Sequence, residues 1–193
     1  MTKIQAGHAA PVFTLKSTEG KGFSLADALK KGPVVAAFFK ITCPVCQFTF
    51  PFLERLHRAH SGDAVSFVGI SQNEDAQTKE FLAEYGITFA GLMDEDGYPV
   101  SNSYGLNTVP TVFLIAPDGK VQVSSVGFCK ADLEKIAKEL SGYFQKKPTS
   151  ASNSFTPLCA KIPSNFRSSV FSPLFVKNLV DIIVAQISKF PPK

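Results

Sequence analysis

The sequence predicts an α/β fold in which a mixed central sheet is covered by helices on both faces, and three observations carry that expectation. Residues 34–39, Val-Val-Ala-Ala-Phe-Phe, are a continuous apolar run of strand length. A strand apolar on both sides belongs inside a doubly covered sheet and not in a sandwich. Further strand-like runs at 65–70 and 109–115 are separated by stretches whose apolar residues recur with helical spacing. The resulting order, β-β-α-β-α-β-α-β-β-α, combines hairpins with crossovers.

Along the chain, residues 12–15 and 23–25 form a short hairpin across Gly20-Lys21-Gly22, with Phe13 and Leu15 pointing to one side. Ser24 caps a short helix through Lys30, which Gly32-Pro33 ends. After the 34–39 strand, Phe48, Phe52, Leu53 and Leu56 fall at helical spacing, so a helix runs to about His60. Pro51 lies inside it, where the missing N–H predicts a kink. Residues 65–70 give a second buried strand, 75–85 a helix stopped by Gly86, 88–92 a short strand, 94–97 a turn, and 100–104 a short helix or irregular run. Residues 109–115 and 121–126 pair around the Asp118-Gly119 turn. Leu133, Ile136, Ala137 and Leu140 mark a closing amphipathic helix over 131–144.

At 193 residues and 45% apolar composition the chain suits one globular domain with an appendage. Charge separates the two parts. Residues 1–148 carry fifteen Lys and Arg against fifteen Asp and Glu, whereas 149–193 carry Lys161, Arg167, Lys177, Lys189 and Lys193 against Asp181 alone. The whole net charge of +4 therefore lies in the tail, and a neutral main domain lacks the footprint of a nucleic-acid binder. Residues 1–8 are polar, without the apolar core of a signal peptide, and no run reaches the roughly 18 apolar residues of a membrane span. A cytoplasmic protein without a transmembrane segment is the expectation. The four cysteines do not form the framework of a small secreted domain.

The stretch around which the chain is organised is 38–51, which joins the apolar strand to Cys43-Pro44-Val45-Cys46 at a helix start. Pro44 just inside the helix sets the first sulfur against unpaired backbone N–H groups and the positive end of the helix dipole, which favours thiolate. A free cysteine titrates near about 8.5, whereas such motifs reach roughly 3.5 to 7.5. Cys43 therefore suits a nucleophile at neutral pH and Cys46, one turn on, suits the thiol that resolves a mixed disulfide. Half of a zinc site is the weaker reading, because Cys129 and Cys159 are 30 residues apart and supply no second close pair. No metal site is expected.

The strand at 34–39, the Cys43/Cys46 pair, Pro51 five positions beyond it, Val109-Pro110-Thr111, and the Asp118-Gly119 hairpin followed by Gly127 together resemble the thioredoxin fold over residues 4–146. The amino-terminal hairpin and an inserted α/β segment between about 73 and 106 make the chain similar to the TlpA/ResA-like and alkyl hydroperoxide reductase/redoxin branch. The resemblance implies a three-layer fold with a central mixed sheet, and thiol–disulfide exchange on protein disulfides, recharged by a thiol reductant system and needing no cofactor. It implies that Cys43 attacks and Cys46 resolves. It also implies that Pro110 is a cis proline beside the pair, that the backbone at Val109 pairs with the substrate peptide, and that Thr42 and Pro44 flank the same substrate.

Several positions depart from the family pattern. The aromatic residue usual before the first cysteine is Thr42 here, a buried acid of many thioredoxins corresponds to Ala37, and the glutamate three residues after the second cysteine in ResA-like proteins corresponds to Thr49. Water or the Lys40 region is left to take the Cys46 proton. A thiol peroxidase is the first alternative, but the hydroxyl that peroxiredoxins place three residues before the reactive cysteine is Lys40 here. A non-catalytic binding module is the second.

Other candidates read more plainly. Cys129 suits a small capping or half-buried residue before the last helix, and His57 and His60 suit the surface of the helix after the motif. Asp94, Asp96 and Gly97 suit a turn rather than a calcium loop. Phe48, Phe50 and Phe52 suit the core, with one of them bordering a substrate groove. From Thr149 the chain turns Ser- and Pro-rich, so 149–173 read as linker, with Cys159 a free thiol. Val176, Leu179, Val180, Ile183, Ile187 and Phe190 then line one side of an amphipathic helix that docks on the parent domain, with a membrane surface or a second protein as the sharper alternatives.

Overall fold

The computed structural model describes residues 4–145. The expected domain boundary at 148/149, the linker, Cys159 and the amphipathic helix of the tail lie outside the described residues. Twelve elements run β1 (Thr14–Lys16), β2 (Gly22–Ser24), α1 (Leu25–Leu29), β3 (Val34–Phe39), α2 (Pro44–Ala59), β4 (Ser66–Ser71), α3 (Asp75–Glu84), β5 (Ala90–Met93), α4 (Pro99–Ser103), β6 (Thr111–Ile115), β7 (Val121–Val126) and α5 (Lys130–Tyr143). β5 and α4 answer to the short strand expected over 88–92 and the short helix or irregular run expected over 100–104, which the ten-element order does not count.

Five strands form one sheet in the order β5-β4-β3-β6-β7, with β3 parallel to β4 and antiparallel to β6. The β1–β2 hairpin is a separate two-stranded sheet. Every residue of β3 is buried, and the strand alternation explains why all six are apolar. Val35, Ala37 and Phe39 enter a core with Phe50 and Leu53 of α2, Phe81 of α3 and Ile136 of α5. Val34, Ala36 and Phe38 enter a second core with Leu25 and Leu29 of α1, Val100 of α4 and Tyr104. These are the two outer layers of an α/β sandwich. Truncating Phe38 or Phe50, both fully buried, to alanine costs about 3–5 kcal/mol.

The amino-terminal segment closes both sheet edges. Thr18 N–H donates to the Gly91 carbonyl at 2.9 Å along β5, and Gly7 N–H to the Val121 carbonyl at 2.8 Å along β7, which blunts strands that would otherwise template foreign pairing. Space decides one glycine: a Cβ on Gly32, in the α1–β3 turn, would lie 1.6 Å from the Ala64 carbonyl oxygen.

The structure corrects three local expectations. The strand expected over 88–92 begins at Ala90, because Thr88 gives its N–H and hydroxyl to the Glu54 carboxylate at 2.8 and 2.7 Å instead of to a ladder. Neither histidine at the carboxyl end of α2 is fully exposed. His57 packs against Phe67 and Phe89, and His60 is 2% exposed, with Nδ1 2.9 Å from Asp63 Oδ2 and its ring against Phe144. The last turn of α2 is overlaid by β4 and by the end of α5, so a face that is polar in sequence is covered in space. Asp94 belongs to a turn as expected, yet it is fully buried and caps α4, accepting from the N–H of Val100 at 3.0 Å and from the N–H and hydroxyl of Ser101 at 2.7 Å each. Among the described residues no group of three His, Cys, Asp or Glu is placed to hold a metal ion.

Candidate active site

Cys43 is the N-cap residue of α2, with φ −87° and ψ 111°, and Pro44 occupies the first turn. A helix start leaves N–H groups without intrahelical acceptors, and here the capping atom is sulfur: the Cys46 N–H points at Cys43 Sγ at 3.3 Å. Serine or aspartate would cap the turn as well, so the choice of cysteine adds reactivity at the same place. Sγ also lies 3.5 Å from the Val109 carbonyl oxygen, and the peptide bond that follows, Val109–Pro110, is cis. Pro110 is buried and Val109 half-buried. The Gly127 N–H donates to the Pro110 carbonyl at 2.8 Å, tying the proline loop to the far end of β7. Thr42 and Pro44 are exposed on the other flank of the sulfur.

The second thiol differs in kind. Cys46 is fully buried, and burial, reinforced by the neighbouring Cys43 sulfur, pushes its thiol far up from the ordinary range. The nearby hydroxyl of Thr49 donates to the Val45 carbonyl at 2.6 Å, and the Lys40 ammonium sits over the Tyr98 ring, 5.6 Å from its centre. Neither side chain is a free base for the Cys46 proton. Ala37 is buried in the strand beneath.

Phe50 belongs to the core, whereas Phe48 and Phe52 are half-buried and meet Phe128, with ring centres 4.7 and 5.2 Å away, beside the site. Cys129 stands at the N-cap of α5, half-buried and without a capping hydrogen bond from its side chain. Burial raises its thiol. Sequence reasoning missed Gln47 and Asn73, which flank the segment before Cys43, and the buried Glu54. Asn73 had a usable signal: it follows the carboxyl end of a parallel strand, where sites on such sheets form.

A family model described as the AhpC/TSA family matches residues 6–124, more than half of the chain. The thiol-disulfide oxidoreductase ResA of Bacillus anthracis is 32% identical over 145 residues, covering 75% of this chain and 79% of its own length. The protein of the same name from Bacillus subtilis is 33% identical over 119 residues, covering 61% and 65%. A solved structure of a putative thiol:disulfide interchange protein DsbE from Chlorobium tepidum is 26% identical, with a TM-score of 0.64 over 72% of this chain and 98% of that one.

Proposed function

The chain belongs to the AhpC/TSA family, and on that premise we propose that it is a ResA-like thiol–disulfide oxidoreductase acting on protein disulfides, with Cys43 as nucleophile and Cys46 as resolving thiol. One observation carries the assignment of roles: Cys43 Sγ is held between the Cys46 N–H at 3.3 Å and the Val109 carbonyl at 3.5 Å, while Cys46 is buried behind it.

In the forward direction the Cys43 thiolate attacks one sulfur of a substrate disulfide. The substrate S–S bond breaks, its other sulfur leaves as thiolate and takes up a proton, and a mixed disulfide with Cys43 forms. Cys46 then loses its proton, attacks Cys43 Sγ and expels the second substrate thiolate. Two electrons have passed to the substrate and the protein holds a Cys43–Cys46 disulfide, which a thiol reductant returns to the dithiol. Water takes the Cys46 proton, since Thr49 and Lys40 are engaged elsewhere. An extended substrate segment lies against the backbone of Val109, with Pro110 offering no N–H to compete and Thr42 and Pro44 bordering the other side.

The reading is tested by insulin reduction with dithiothreitol as electron source. Wild type accelerates precipitation of the insulin B chain and Cys43→Ser does not, while Cys46→Ser, reduced, freed of dithiothreitol and mixed with insulin, accumulates a mixed disulfide on Cys43. Full activity in Cys43→Ser would overturn the assignment. Rapid peroxide consumption with sulfenic acid on Cys43 would favour a peroxidase instead.

A further inference from the structure

Beyond Phe39, whose ladder partner is Ser71 and whose carbonyl accepts from Gln72 N–H at 3.1 Å, the sheet no longer holds the chain that leads to Cys43. Two side chains take over. The Asn73 Oδ1 accepts the Ile41 N–H at 3.1 Å, and the Gln47 Nε2 donates to the Ile41 carbonyl at 2.8 Å. Both backbone polar groups of one residue, two positions before the nucleophile, are thus gripped from different elements: Asn73 from the end of β4 and Gln47 from the first turn of α2.

Each gripping residue is itself anchored. Asn73 N–H donates to Ser71 Oγ at 3.1 Å, and its carbonyl accepts from Thr78 Oγ1 at 3.4 Å. Gln47 N–H donates to the Cys43 carbonyl at 3.1 Å, and Cys43 N–H to the Lys40 carbonyl at 3.2 Å. The result is a closed set of bonds around 40–47 that Asn73 ties to the segment following β4. We propose that Asn73 and Gln47 are positioning residues that tune the redox equilibrium of the pair, a role that rests on the exchange reading above.

The physical reason is an asymmetry between the two redox states. In the dithiol, the contact from Cys46 N–H to Cys43 Sγ exists only if the backbone before the helix is held in the cap conformation. In the disulfide, the S–S bond holds Cys43 to Cys46 by itself. The grip on Ile41 therefore favours the dithiol, and losing it moves the equilibrium toward the disulfide, making the protein a stronger reductant.

The full chain is equilibrated with glutathione, in which protein dithiol and oxidised glutathione give protein disulfide and two reduced glutathiones. Asn73→Leu and Gln47→Leu keep side-chain size and remove the acceptor and the donor. Each raises the equilibrium constant about tenfold, a potential about 30 mV lower for this two-electron couple. Asn73→Asp, which keeps an acceptor oxygen, falls between wild type and Asn73→Leu. Because both residues hold one backbone segment, the double Leu variant shifts by less than the product of the singles.

Thermal unfolding is followed in parallel. If both Leu variants lower the midpoint yet stay within about twofold of wild type in the glutathione equilibrium, the residues are only structural and the proposal is overturned. Should Asn73→Leu fail to fold, Gln47→Leu reads the other half of the grip alone. A wild type that never exchanges with glutathione would overturn the exchange reading itself, whereas a normal wild type with unshifted variants overturns the grip alone.

Discussion

The two ends of α2 have the same backbone and different accounts with their surroundings. At the amino end the cap is a sulfur with one short N–H contact, and its flanks Thr42 and Pro44 face solvent. At the carboxyl end side-chain pairing is denser, although the buried His60 Nε2 has no hydrogen-bond partner among the described residues. Glu54, 5% exposed, accepts from the Thr88 N–H, the Thr88 hydroxyl and Arg58 Nε at 2.8, 2.7 and 2.6 Å, and Arg58 reaches the Gly86 carbonyl at 3.3 Å. His60 is buried against Asp63 and Phe144. One helix therefore separates reactivity from stability along its length: the end where Glu54 accepts three hydrogen bonds fixes the helix, so that the other can present a reactive sulfur.

The sharpest way to break this comparison is a pair of substitutions at the two ends. Cys43→Ser is expected to abolish insulin reduction while leaving unfolding free energy within about 0.5 kcal/mol, since serine is a good N-cap. Glu54→Gln is expected to do the reverse in the same assays. Exchange that survives Cys43→Ser, or that disappears in a folded Glu54→Gln, would show that the two ends are not separable.

Next in size is the pH dependence of resolution. Burial holds the Cys46 thiol above its ordinary range, so only a small fraction is thiolate near neutrality, and that fraction grows about tenfold per pH unit below its pKa. Single-turnover decay of the mixed disulfide is expected to accelerate with nearly that slope from about pH 6 to 8. A flat profile would mean that Cys46 is not the attacking group.

Glu54 gives a smaller effect of known sign. Burial alone would raise its carboxyl, but the N–H and hydroxyl of Thr88 and the Arg58 guanidinium more than offset it, and the group is held below the usual carboxylate range. Its contribution is therefore complete above the unfolded value of about 4.3 and is lost as pH falls through the lower folded value. Glu54→Gln is expected to cost about 2–3 kcal/mol at neutral pH and to flatten the acid limb of the stability curve, read by urea unfolding at several pH values. The smallest change is Cys129→Ser, expected within about 0.5 kcal/mol and without effect on exchange.

Much of this architecture is written locally. The all-apolar run of β3, the Ser24 cap of α1, the Asp118-Gly119 turn and the Cys43/Cys46 spacing at a helix start each depend on a few consecutive residues, and each stands where the sequence pattern places it. Periodicity states which face of an element is buried but carries no record of what covers it. Contacts between residues far apart in the chain are therefore the part that only the tertiary structure decided. Cys43 meets the Val109 carbonyl across 66 positions, Ile41 meets Asn73 across 32, and Glu54 meets Thr88 across 34. His60 was a polar residue on a helix until Phe144 overlaid it, and Asp94 a turn residue until α4 folded onto its carboxylate. The sheet order β5-β4-β3-β6-β7 sets the first two of those meetings: it brings the carboxyl ends of β3 and β4 and the amino end of the antiparallel β6 to one edge. The fully buried polar groups there, Ser71 and Asp94, must find their hydrogen bonds within the protein, because water does not reach them.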